Sequence, residues 1–143
     1  MLLGTYQGVI SPKRRVAIPS SFRKEQKGKF ILAKWYEGCL VLIQINDFQA
    51  LLEKLRNDTE LITRGVRDTE RFILGSAYEV VPDEQGRIVI PSSLVTYAGL
   101  KEEIYFIGLK DRVEIWEKGA WEIKEKAVAA QAAELLEKMA NEK

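Results

Sequence analysis

The chain contains no histidine and one cysteine among its 143 residues. Without histidine it lacks the commonest general base and the commonest transition-metal ligand. The lone Cys39, inside the apolar run CLVLI, allows neither an internal disulfide nor a thiolate metal cluster and fits a reducing compartment. Long apolar runs are missing too: none approaches the ~20 residues a membrane-spanning helix needs, and MLLGTYQGV lacks the basic flank and long apolar core of a signal peptide. A cytoplasmic protein with no membrane partner is expected. There is no glycine-rich phosphate loop, nucleophile motif or metal-ligand cluster, so no cofactor site is legible and no small-molecule substrate is expected. An enzyme, for instance one using Asp83 or Glu79 as a base, is therefore disfavoured.

An excess of one charge is absent from the chain as a whole, at a net +1, but not from its parts. Residues 1–72 carry 13 basic and 8 acidic side chains and residues 73–143 carry 9 and 13, a balance of +5 against −4. A basic half suits a polyanion, and suits equally the acidic half of a neighbouring copy.

What the chain does have is the same phrase twice. RRVAIPSSF at Arg14–Phe22 returns as GRIVIPSSL at Gly86–Leu94. A step of 72 residues lays Val9, Val16, Ile18, Pro19, Ser20 and Ser21 over Val81, Ile88, Ile90, Pro91, Ser92 and Ser93. The pattern predicts a tandem duplication, with copies over 5–52 and 77–122 inside one unit spanning 1–143, since a half-length piece buries too little surface to stand alone. In each copy, turn formers (SPKR, DEQG) precede an arginine and a short β-branched strand closed by proline, and a helix follows at PSS with serine supplying a capping oxygen. Two further β-type runs and a helical pattern follow, with Phe48 and Trp121 opening the helices at equivalent places. A connecting helix capped by Asp68 or Thr69 is expected within 58–80. An amphipathic helix is expected over 119–143, with Trp121, Ile123, Ala127, Ala130, Ala133, Leu136 and Met139 on its apolar face.

The repeated Val, Ile, Pro and Ser positions read as core and caps. The arginines do not. Arg87 has Asp83 four residues earlier as a partner for a structural tie, whereas Arg15 has Ser11 there. Lys13, Arg14 and Arg15 stand in succession, followed by Arg23, Lys24, Lys27 and Lys29, with no acid between Lys13 and Lys24. On a turn projected by a two-stranded ribbon such a run reaches phosphates while an arginine reads a guanine edge.

Two copies of an Asp-x-x-x-Arg-type turn, each followed by a β-branched strand and Ile-Pro, together with YAGL and DRVEIWEKGAWE, resemble the MraZ family of the swapped-hairpin superfamily that includes AbrB and SpoVT. The resemblance covers nearly the whole chain. It implies an α+β fold in which two tandem homologous halves form a pseudo-symmetric swapped-hairpin (AbrB-like) β-barrel with peripheral helices and a C-terminal helix. It also implies a bacterial DNA-binding transcriptional regulator of the division and cell wall gene cluster, typically a repressor and nucleoid-associated, assembled as a ring-shaped homo-oligomer on short direct repeats of promoter double-stranded DNA. The family's arginines fall on Arg15 and Arg87. The first copy departs from the pattern at Ser11 and Arg14, where the second keeps Asp83 and Gly86, and both changes make the first turn more cationic. The candidate DNA-binding residues are thus Arg15 for a base or central phosphate contact, Lys13 and Arg14 for flanking phosphates, Arg87 in the equivalent place, and Arg23 and Lys24 as secondary contacts. The rival readings are an oligomeric interaction module without specific DNA binding and an antitoxin of the same superfamily, though antitoxins usually carry one copy of the hairpin.

Overall fold

The first half runs β1 (Leu2–Val9), β2 (Arg15–Ala17), α1 (Ser20–Glu25), β3 (Phe30–Lys34), β4 (Leu40–Gln44) and α2 (Ile45–Asn57). A connecting helix α3 (Arg64–Ile73) leads to the second half, with β5 (Tyr78–Val80), β6 (Arg87–Val89), α4 (Ser92–Ala98), β7 (Glu103–Lys110), β8 (Arg112–Glu117) and α5 (Lys118–Asn141) in the same order. The computed structural model describes residues 1–57 and 63–142. The protein is α+β, with an antiparallel six-stranded sheet in the order β1-β7-β8-β4-β3-β5 and a separate two-stranded ribbon, β2-β6.

The pairings are reciprocal between halves. β1 lies along β7 from Leu2↔Lys110 to Val9↔Glu103, and β5 lies along β3 from Phe30↔Val80 to Leu32↔Tyr78. β4 meets β8 at the centre of the sheet, and β2 meets β6 in the ribbon. The first strand of each half is therefore bonded to the other half.

The six-stranded sheet does not close on itself. Strand order in the sheet is linear, with β1 and β5 as its two edges. Pro19 and Pro91 stop β2 and β6 after three residues, because proline offers no N–H to a ladder, so these strands bond each other and do not bridge the edges.

The sheet is covered on both faces. Over one face lie Val16, Ile18, Ile88 and Ile90 of the ribbon with Phe22 and Leu94 of the short helices, packed on Leu32, Leu42, Phe106 and Ile115. Over the other lie Phe48 and Ile73, packed with Ile31, Val41, Ile43 and Trp116. Burial on both sides explains why β3 and β4 read as unbroken apolar runs, while β8 alternates buried Val113 and Ile115 with half-buried Glu114. Cys39 belongs to the second core, and burial, reinforced by Glu114 and Glu37, pushes its thiol well above the ordinary range.

Three helix details differ from expectation. Pro19 and Pro91 themselves occupy the cap positions of α1 and α4, with no side-chain bond; the serines fall one residue inside, past the place from which a hydroxyl reaches the next free amides. Thr63 caps α3, its Oγ1 accepting from the Val66 amide at 3.3 Å, while Asp68 and Thr69 lie inside the helix and Asp68 pairs with Arg64 and Arg71. Residues 58–62 of the expected connecting segment lie outside the described residues. α5 forms, held by Trp121 against Trp116 (centroids 5.5 Å apart) and by an ion pair between Lys124 and Glu37. From Glu125 to Glu142 every residue is exposed, so Leu136 and Met139 line no core of this chain. The periodicity was that of a helix, and the body ends before the helix does. No described helix is long and apolar enough to cross a membrane.

Candidate nucleic-acid interface

The two repeated turns fold alike. The Arg14 amide donates to the Ser11 carbonyl and the Gly86 amide to the Asp83 carbonyl, both at 2.9 Å. Outside each turn the Ser11 amide donates to the Arg15 carbonyl and the Asp83 amide to the Arg87 carbonyl, also at 2.9 Å. The position before each arginine is left-handed, with φ 62° at Arg14 and 76° at Gly86. Arg14 thus occupies a backbone region costing a residue with a Cβ about 1–2 kcal/mol.

β2 and β6 pair as Arg15↔Val89, Val16↔Ile88 and Ala17↔Arg87. Val16 and Ile88 point into the core, and strand alternation sends Arg15, Ala17, Arg87 and Val89 to the outer face. Arg15 and Arg87 are diagonal neighbours there, about 7–8 Å apart at Cα. A concavity beside them is lined by Val9, Pro12, Lys13, Arg15 and Arg87 among others. The structure therefore brings Lys13, Arg15 and Arg87 together on one surface. Val89, 45% exposed, and Ala17 are part of the same face and escaped the sequence reading, because only the pairing register shows which side they take.

The two arginines differ in freedom. Asp83 accepts from the Arg87 amide (2.9 Å), the Gln85 amide (2.9 Å) and the Arg87 Nε (3.0 Å). The Arg87 amide and then its guanidinium hold the Asp83 carboxyl below the usual carboxylate range. In the first turn the Ser11 Oγ accepts from the Arg15 amide at 3.2 Å and, among the described residues, from no other donor. Among the described residues the guanidinium of Arg15 and the ammonium groups of Lys13 and Lys24 have no hydrogen-bonded or ionic partner. Lys24 is exposed on α1, and Lys29 approaches Glu79 at 3.8 Å. Arg14 and Arg23 are tethered instead: Arg14 Nε donates to the Ile90 carbonyl at 3.1 Å, and Arg23 Nε to the Ile18 carbonyl at 2.9 Å. The first turn thus carries three positive charges and no acid, whereas the second sets Asp83 and Glu84 against Arg87.

These features define an α+β protein whose two halves exchange strands and jointly build a ribbon with an arginine-bearing outer face. Such a chain is 41% identical over 140 residues, 98% of its own length and 97% of the relative's, to "Transcriptional regulator MraZ" of Acetivibrio thermocellus. Proteins of the same name from Caldanaerobacter subterraneus subsp. tengcongensis (38% over 141 residues, 99% and 98% covered) and Pelotomaculum thermopropionicum (39% over 140 residues, 97% and 95% covered) are similarly close. A family model described as "MraZ protein, putative antitoxin-like" matches residues 73–142. The chain belongs to the MraZ family. A Pyrococcus horikoshii chain solved in solution aligns with 80% of it at 15% identity and a TM-score of 0.33, too distant to carry weight.

Proposed function

We propose that the protein is a sequence-specific double-stranded DNA-binding transcriptional regulator, a repressor that controls its own promoter and the division and cell wall gene cluster. The observation that carries this reading is the outer face of the cross-half ribbon, where Arg15 is exposed without a partner among the described residues and Arg87 stands diagonally beside it. A two-stranded ribbon fits the major groove, where an arginine meets the O6 and N7 acceptors of guanine in a bidentate pair. Lys13 and Lys24 flank the face as phosphate contacts, and Arg14 and Arg23 add positive charge behind it. The names of the relatives support the regulatory role.

The halves are two copies of one swapped-hairpin unit, over 5–52 and 77–122, in a single unit of 1–143; the reciprocal pairing of β1 with β7 and β5 with β3 supports this. The protein assembles as a ring-shaped homo-oligomer that sets one ribbon on each of several direct repeats, in the cytoplasm at the nucleoid. A second reading, an interaction module without specific DNA binding, is favoured by one observation: α5 exposes Ile123 (75%), Leu136 (68%) and Met139 (64%). A salt series of fluorescence anisotropy separates the two, comparing a duplex of the direct repeats upstream of the protein's own gene with a scrambled duplex. Preference for the repeats near physiological salt is expected. Equal, steeply salt-dependent binding to both duplexes leaves only a basic surface, and no binding by an oligomer that high salt dissociates favours the interaction module.

A further inference from the structure

Each end of the ribbon contains a carbonyl that the ladder does not satisfy. Beyond Ala17↔Arg87 the Ile18 amide donates to the Gly86 carbonyl at 2.9 Å, and a regular antiparallel pair would return a bond from the Gly86 amide to the Ile18 carbonyl. That amide is already spent on the Asp83 carbonyl, closing the turn. The other end repeats the situation: the Ile90 amide donates to the Arg14 carbonyl at 2.8 Å, while the Arg14 amide is spent on Ser11. Ile18 and Ile90 are buried and each precedes a proline, and among the described residues no backbone amide replaces the missing donor.

An arginine Nε supplies it in both places, by two routes. At Ile90 the donor comes from the turn itself, through Arg14. At Ile18 it comes from α1, through Arg23, whose side chain lies across Gly86. A Cβ on Gly86 would stand 2.5 Å from the Arg23 Cδ and closer still to the guanidinium. The residue that takes the place of Arg23 in α4 is Val95: the amides of both donate to the carbonyl of the capping proline, at 3.1 Å each, and valine offers no donor. At the Ile18 end of the ribbon the facing turn therefore carries glycine and the adjoining helix arginine, and at the Ile90 end the facing turn carries arginine and the adjoining helix valine.

We infer that Arg14 and Arg23 are equivalent positioning residues, each replacing a missing ladder donor, which together fix the plane from which Arg15 and Arg87 project. Their terminal guanidinium nitrogens add positive potential, but their specific contribution runs through Nε. The functional half of this inference rests on the DNA-binding reading; the positioning half does not.

Glutamine and methionine separate the two roles. The Gln Nε2 sits at the same point along the side chain as the Arg Nε, so Arg14→Gln and Arg23→Gln keep a donor and lose the charge. Arg14→Met and Arg23→Met keep the length and lose both. Unfolding midpoints and the ratio of repeat to scrambled-duplex affinity are measured on the full chain for all four variants. The Gln variants should keep the wild-type midpoint and ratio while binding both duplexes more weakly by the same factor. The Met variants should lower the midpoint and cut the ratio by about tenfold, the size of one charge-assisted hydrogen bond. Gln and Met variants with wild-type midpoints and equal losses on both duplexes would make these arginines plain phosphate contacts and overturn the assignment. A Gln–Met split in midpoint with no repeat preference in the wild type would uphold the positioning and overturn the DNA reading instead. Where a Met variant does not fold, Arg→Lys takes its place, keeping the charge and moving the donor by one atom. A Lys variant indistinguishable from wild type beside a Gln variant that loses the midpoint would overturn the assignment as well.

Discussion

Gly86→Ala tests the arrangement at the second turn through its energetics. Two costs are expected. The first is backbone strain, because φ is +76° and a Cβ there costs about 1 kcal/mol. The second is displacement of the Arg23 side chain, which gives way because it is flexible and in doing so leaves the Ile18 carbonyl without its donor. An unsatisfied buried acceptor costs about 1–3 kcal/mol, so Gly86→Ala should destabilise by about 2–4 kcal/mol. In an Arg23→Ala background the second cost has already been incurred, and the same substitution should cost only the strain, about 1 kcal/mol. A double-mutant cycle by urea denaturation thus predicts a coupling of about 1–3 kcal/mol between two residues 63 positions apart in sequence. Gly99→Ala is the control: φ is +60° and a Cβ there meets nothing within 4 Å, so its cost should be about 1 kcal/mol in both backgrounds. Equal costs of Gly86→Ala with and without Arg23 would refute the reasoning.

Arg15→Ala should leave the unfolding midpoint unchanged and remove about 1–3 kcal/mol of repeat-specific affinity, whereas Lys24→Ala should weaken binding uniformly and flatten the salt slope by about one phosphate; anisotropy in a salt series reads both. Ser11→Asp should give Arg15 the tether that Arg87 has and add a negative charge, lowering affinity for the repeat duplex on the order of tenfold, and an unchanged affinity would show that the freedom of Arg15 is irrelevant. The carboxyl of Asp83 is depressed when folded, so its contribution to stability is complete above the ordinary carboxylate range and disappears as pH falls through the folded-state value. Asp83→Asn should abolish this part of the acid response. Arg87→Ala should restore the Asp83 titration, followed by NMR, only in part, since the amides of residues 85 and 87 still donate to the carboxylate.

Much of the architecture could be read from local pattern. The repeated IPSS phrase located both strand-to-helix junctions, because proline and β-branched residues act on their immediate neighbours. The unbroken runs FILA and LVLI marked strands that turned out to be buried on both faces. Capping was less legible: serine at PSS and Asp68 or Thr69 in α3 are common cap residues, but a shift of one residue decides whether a hydroxyl reaches a free amide.

The repeated turn-strand-helix unit, the cationic first turn with Ser11 in place of an acid, and the tie between Asp83 and Arg87 were legible from local pattern, because each depends on residues within about five positions of one another. The rest depended on long-range pairing. Pairing β2 with β6 joins residues some 72 positions apart, and that register, invisible in composition, sets Arg15 beside Arg87 on one face and sends Val89 outward. The tertiary fold also keeps the sheet open and leaves the far end of α5 beyond the body. Finally, it distinguished arginines that look alike in sequence: Arg14 and Arg23 meet carbonyls that the turns leave without a donor, and Arg15 meets none, because hydrogen-bond vacancies arise only once strands from both halves have paired.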